Sequence, residues 1–165
     1  MNDYNLIFNS VKQLNNYFKS QNIATNVQIT NKSPNLFDEI VKDEKLRNVS
    51  RKLFMDGHHA RAVEEAYKHV DNLVKSLAGL KHTELTGAKL MNHVFSANNP
   101  IIKFNDLLTT SEKDEQIGFM QILAGCMTGI RNPRAHETDW EDSENNALYM
   151  ISFADYLVAK IKSVT

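Results

Sequence analysis

A chain of 165 residues, 42% hydrophobic and 24% charged, is long enough to bury one core and has the composition of a globular domain. Its formal charge of −1 supplies no bulk field for nucleic acid or a membrane surface, so nucleic-acid binding would have to come from a local patch. The single cysteine, Cys126, excludes an intramolecular disulfide and fits a reducing compartment.

The opening Met1-Asn2-Asp3 is polar, and neither a basic leader nor a long apolar run follows, so a soluble cytoplasmic protein is expected. Only three prolines and six glycines interrupt the chain, and apolar residues recur at three- and four-residue steps. That pattern predicts an all-α fold.

Leu6, Ile7, Val11, Leu14, Tyr17 and Phe18 share one face and predict a helix over residues 3–19. A polar stretch follows, residues 20–32, with a Val27-Gln28-Ile29-Thr30 alternation that would also suit a short strand. Residues 1–32 are therefore expected to be a helix with a polar linker or appendage, and 33–165 the main domain.

Ser33-Pro34 is a helix start, because Ser accepts from orphan N–H groups and Pro fits the first turn. From there Leu36, Phe37, Ile40, Val41, Leu46, Val49, Leu53 and Phe54 continue helically to a turn at Asp56-Gly57. Lys42, Lys45, Arg47, Arg51 and Lys52 form a loose basic cluster diluted by Asp43 and Glu44, which reads as a solubilising surface.

The next helix is the most regular, with Val63, Tyr67, Val70, Val74 and Leu77 in one stripe that stops at Gly79. At about 100° per residue, His58, Arg61, Glu65, His69 and Asn72 fall opposite it. They read either as a solvated face or as the lining of a cleft or dimer interface. His59 falls near the stripe and reads as a packed, hydrogen-bonded histidine.

Thr86 to Phe95 predicts a short helix with Leu90, Met91, Val94 and Phe95 inward, broken at Asn98-Asn99-Pro100. In the connection that follows, Ile101, Ile102, Phe104, Leu107 and Leu108 are expected to plug the core. Ser111 with Asp114 is a variant capping box opening a helix that places Phe119, Ile122, Leu123, Cys126 and Ile130 on one side. Gly118, Gly125 and Gly129 line one edge of that face, each at a cost of about 1 kcal/mol against Ala, which points to a close approach by another helix or chain. Asp142 or Ser143 caps a last helix through Ala147, Met150, Ile151, Ala154, Leu157, Val158 and Ile161. The sum is an antiparallel bundle of four to five helices plus an extra N-terminal one.

No metal site is expected. None of the six histidines has a glutamate three residues before it, and no His-x-x-x-His pair exists. No phosphate-cradling loop ends in Lys, and Cys126 lies in an apolar stripe without a basic neighbour. No cofactor follows from these residues. What remains is Arg131-Asn132-Pro133-Arg134-Ala135-His136, a polar knot between two apolar helical patterns. Asn132-Pro133 should end the preceding helix, leaving Arg131 at a helix end and His136 on the following turn. A permanently charged guanidinium and an imidazole that titrates near neutrality together suit phosphodiester chemistry.

Arg131, Asn132 and His136, with four residues between Arg and His, resemble the signature of the HEPN superfamily (higher eukaryotes and prokaryotes nucleotide-binding domains). With Gly57 through Ala66, Leu90-Met91 and Phe95, and Gly125 through Glu137, residues 45–162 look like the Ymh-type branch of that superfamily. The resemblance implies an α-bundle that dimerises so that two motifs share one cleft, and in many members a metal-independent endoribonuclease serving as toxin or antiviral effector. On that basis His136 would be general acid or base, Arg131 would stabilise phosphoryl charge, and Asn132 would orient the phosphate or hold the turn. Outside the core signature, Arg134 would contact a neighbouring phosphate and Glu137 would orient His136, while Arg61 and Glu65 from the polar helix face would line the cleft. The alternatives are a non-catalytic module binding nucleotide, RNA or a partner such as an antitoxin, and a dimeric scaffold built on the glycine edge. No membrane partner is expected.

Overall fold

The computed structural model describes residues 36–165. The expected helix over residues 3–19, the strand alternative at 27–30 and the Ser33-Pro34 helix start lie outside the described residues.

Every regular element among the described residues is helical, and together they form a bundle. In chain order they are α1 (Leu36–Ile40), α2 (Glu44–Met55), α3 (His59–Leu77), α4 (Gly87–Val94) and α5 (Thr110–Cys126). A π-helical turn (Met127–Arg131), α6 (Asn132–His136) and α7 (Glu144–Lys162) complete the chain. None of these helices is long and apolar enough to cross a membrane.

The bundle is built around α3, which packs against α2, α4, the π turn, α6 and α7. Its expected stripe is buried over four of its five residues, with Val63, Tyr67, Val70 and Val74 all fully enclosed and Leu77, at the helix end, exposed. Burial extends further, from Ala62 round to Glu64 and Asp71, an arc of about 200° at about 100° per residue. A helix enclosed that far must satisfy polar groups on its inner edges. Asp71 does so by accepting from Gly87 N–H at 2.6 Å and Thr86 Oγ1 at 2.9 Å, which caps α4 from across the bundle.

The uninterrupted helix expected from residue 33 to Asp56 is instead two helices. Asp43 caps α2 by accepting from Leu46 N–H at 2.8 Å, while Asp155 of α7 takes the Lys42 and Asp43 N–H groups at 3.0 and 2.7 Å. Those carboxylates offer the backbone a better partner than continued helix. Gly57 makes the expected turn with φ +82°.

Helix α4 buries Leu90, Met91, Val94 and Phe95 as expected. In the connection after it only Ile102 and Phe104 plug the core, whereas Ile101 and Leu108 are exposed by 46% and 78%. The buried Gln116 fixes this segment, accepting from Phe104 N–H at 2.9 Å and donating to Phe95 and Ile102 carbonyls at 3.0 and 3.1 Å. The cap of α5 is also shifted: Thr109 and Glu112 form the complete reciprocal capping box, not Ser111 and Asp114.

Pro133 does not end the helix. Asn132 keeps α-helical angles, φ −63° and ψ −43°, and the chain passes from α5 through the π turn into α6. Proline lacks an N–H and its ring crowds the carbonyl one turn back; a wider turn placed just before it relieves that crowding. The Arg131-to-His136 stretch is therefore helical.

Candidate functional site: a charged cleft beside the Arg131-to-His136 helix

Helix α6 packs on α3, and Arg134 anchors it to its neighbours in the chain. Its guanidinium forks onto Asp142, Nε to Oδ2 at 2.6 Å and Nη2 to Oδ1 at 2.7 Å, and donates Nη1 to the Ile130 carbonyl at 2.6 Å. Both side chains are almost fully enclosed, 3% and 2% exposed. Arg134 thus lies inside the wall of the site, where it ties α6 to the segment leading into α7. Of the two expected caps of that last helix, Ser143 is the one that accepts from Asn146 N–H, leaving Asp142 to Arg134.

Two adjoining clefts open on this wall and share Ala60, Arg61, Thr138 and Trp140. The smaller, about 280 Å³, is lined by Arg61 and Glu64 from α3 and by Arg134, His136 and Glu137. The larger, about 500 Å³, runs along the start of α3 past His58 and His59 to Asp139, Trp140 and Glu141. Trp140, 42% exposed, carries the Arg134 guanidinium 5.3 Å from its ring centre.

His136 is exposed at the end of α6, and its imidazole has no hydrogen bond among the described residues. Glu137 is exposed as well and makes no bond to His136. Arg131 and Asn132 are half-buried and bond each other, Arg131 Nη1 to Asn132 Oδ1 at 3.0 Å, and neither lines the clefts. The helical path explains the separation: five residues along an α-helix are about 140° around it, so Arg131 and His136 face different ways. Asn132 holds no turn, because none is there.

Arg61 lies at the cleft but is not a free cation. It pairs with Glu64 at 2.6 Å and Glu65 at 2.9 Å, and Lys68 pairs with the same two carboxylates at 2.8 and 3.1 Å. Glu65 acts through this cluster without lining either cleft. Hydrogen bonding to Glu64 raises the Lys68 pKa against the opposing effect of burial. Glu64, 3% exposed, was not singled out by periodicity, although it sits on the same helix edge as Asp71, and an acidic pair seven residues apart beside an apolar stripe is a readable sign. Helical spacing does not mark Trp140 either; the sign there is that the chain's only tryptophan stands in a polar inter-helix segment.

The packed reading of His59 holds: its ring is tilted against Phe54 with centroids 5.2 Å apart, and Nδ1 lies 3.3 Å from the Asp142 carbonyl. His69 departs from the solvated-face reading, being half-buried beside Asp43. Cys126 is core, its thiol pushed up to about 11 by burial. Gly118, Gly125 and Gly129 meet nothing: a Cβ built on any of them finds no atom within 4 Å. Among the described residues no other helix approaches that edge closely. Among the described residues no cluster of three His, Cys, Asp or Glu side chains is placed to hold a metal ion.

Fold and cleft together define an all-helical domain with a histidine at the rim of a charged groove. The family model described as "Protein of unknown function (Hypoth_ymh)" matches residues 40–161, and the chain belongs to that family. No curated protein and no solved structure matches it.

Proposed function

We propose that this chain is a HEPN-type, metal-independent endoribonuclease that works as a homodimer. The observation that carries the reading is the imidazole of His136, exposed and without a partner among the described residues, at the mouth of a cleft walled by Arg61 and Glu64. The ribose 2′-OH attacks the adjacent phosphorus, the P–O5′ bond breaks, and the products are a 2′,3′-cyclic phosphate and a 5′-OH. His136 of one subunit takes the 2′ proton, and the same residue of a second copy protonates the leaving oxygen. Arg131 neutralises charge on the phosphoryl oxygens.

One chain does not bring Arg131 and His136 to one cleft, so the proposal requires the second copy. Two features support such a contact. Among the described residues, nothing covers the edge of α5 and the π turn carrying Gly118, Gly125 and Gly129, beside the exposed Ile122. On α7, Tyr149, Phe153 and Tyr156 are exposed at helical spacing, and Tyr156 meets Phe119 of α5 at 6.4 Å. The test is cleavage of a mixed RNA pool in EDTA by wild-type protein and by His136→Ala. Cleavage only by wild type supports the assignment; a folded dimer inert on every RNA rejects it. A toxin or defence role, with an antitoxin-like partner in the cytoplasm, is the setting inferred for such an enzyme, and growth arrest on expression is its readout.

The tie between Arg131 and Asn132, away from the cleft, favours a second reading: a non-catalytic module that holds nucleotide, RNA or a partner protein. Binding lost in Arg131→Ala without strand cleavage by wild type selects it.

A further inference from the structure

We propose that the larger cleft, at the start of α3, is a nucleobase subsite selective for guanine, with Trp140 as its stacking plate. The inference rests on the ribonuclease reading only in placing the scissile phosphate next door, at His136.

The volume, about 500 Å³, is within the range of small-ligand pockets. Trp140 lines both clefts, so a base lying on it and a phosphate at His136 belong to one nucleotide step. The ring is held from the protein side: Arg134 sits over it and is itself locked onto Asp142. That fixes the plate before a ligand arrives, while 42% of the residue stays open. Base stacking on an aromatic ring accepts any base, so selectivity must come from the walls.

The walls favour donors. Asp139 and Glu141 are exposed, line this cleft, and have no hydrogen bond or ion pair among the described residues. The arginine in reach, Arg61, is already neutralised by Glu64 and Glu65. Two free carboxylates repel a phosphate and seek N–H groups. Guanine alone among the RNA bases presents adjacent N1–H and N2–H donors, which a carboxylate takes in two parallel hydrogen bonds. Uracil offers one N–H between two carbonyls and is the poorest fit.

The chain's only tryptophan makes the site report on itself. Trp140 fluorescence of the full chain is titrated with GMP, with UMP and with inorganic phosphate. GMP quenches saturably and binds at least about tenfold tighter than UMP, and phosphate does not quench. The Asp139→Asn, Glu141→Gln double variant brings GMP and UMP together while stacking remains. Trp140→Ala, followed by calorimetry and checked for fold by circular dichroism, weakens GMP at least about fivefold. Equal affinity for GMP and UMP, quenching by phosphate, or no response to GMP at millimolar concentration overturns the subsite. None of these readouts needs cleavage. RNA cut without guanine preference removes the subsite and leaves the nuclease; GMP bound tightly with no RNA cut removes the nuclease and leaves the subsite.

Discussion

Arg134 and Asp142 meet in a two-pronged ion pair at 2.6 and 2.7 Å, almost sealed from solvent, at the join between α6 and α7. Breaking one side of such a pair strands the other charge, at a cost of about 3–5 kcal/mol. Asp142→Ala and Arg134→Ala should each lower unfolding free energy by about that amount in urea titrations. The double variant should cost clearly less than the two single losses added together. Arg134→Lys should recover little, because an ammonium cannot span both oxygens and the Ile130 carbonyl in one plane.

His136 is exposed and unbonded, so its removal should leave stability within about 0.5 kcal/mol of wild type. If it transfers a proton, RNA cleavage should fall by about 10²- to 10⁴-fold. Arg131→Ala should lose about 10²- to 10³-fold. Because the step uses His136 of both subunits, mixing wild type with His136→Ala should lower fluorescent-RNA turnover as the square of the wild-type fraction, since only wild-type homodimers keep both histidines. A rate that falls in simple proportion to the wild-type fraction would count against a composite site.

The glycine edge gives two predictions of opposite sign. A methyl group at Gly125 meets no atom within 4 Å, so Gly125→Ala should stabilise the folded chain by about 0.5–1 kcal/mol through helix propensity. If a second copy packs there, the same substitution should weaken the dimer, and Gly125→Leu should abolish it in sedimentation equilibrium. A dimer indifferent to both would place its interface elsewhere.

Burial holds the His69 pKa below its ordinary 6.5, outweighing the attraction of Asp43, with Lys162 and Lys45 also opposing the charged ring. A histidine that resists protonation when folded loses stability as pH falls through 6.5, because the unfolded chain takes the proton more readily. Burial works against the Asp43 carboxylate, but hydrogen bonds from Lys162 and the Leu46 N–H bring its pKa below the ordinary 3.8. Its contribution is present above 3.8 and disappears at still lower pH. Urea midpoints should therefore drop between about pH 7 and 5, and His69→Gln should flatten that segment without altering the acid limb.

Buried Cys126, with its thiol pushed up to about 11, should react with a thiol reagent at pH 8 only as fast as the fold opens. Labelling rates that rise with urea in step with unfolding would show this.

How much was legible in the sequence divides along one physical line. The helical class, the stripe of α3, the inward set of α4, the turn at Gly57, the core place of Cys126 and the packed His59 followed from local periodicity, whose 3.6-residue repeat acts within a few turns. Where elements meet, that repeat is silent. Asp155 breaks a helix 113 residues away by taking Lys42 N–H, Gln116 binds three backbone groups of another segment, and neither partner is marked by spacing. Pro133 reads as a stop, yet the helix passes it through a wider turn.

The sequence by itself settled that this is a helical protein and which short stretch, Arg131 to His136, concentrates its polar chemistry, because side-chain identity and helical pitch are local properties. Only the tertiary structure decided how that stretch is deployed. It turned Arg134 inward onto Asp142, drew Arg131 to Asn132, left His136 at a cleft with Glu64 and Trp140, and kept the glycine edge clear of the other described helices. Those outcomes depend on charge burial and on which distant groups are near enough to satisfy it, and chain order does not encode that distance.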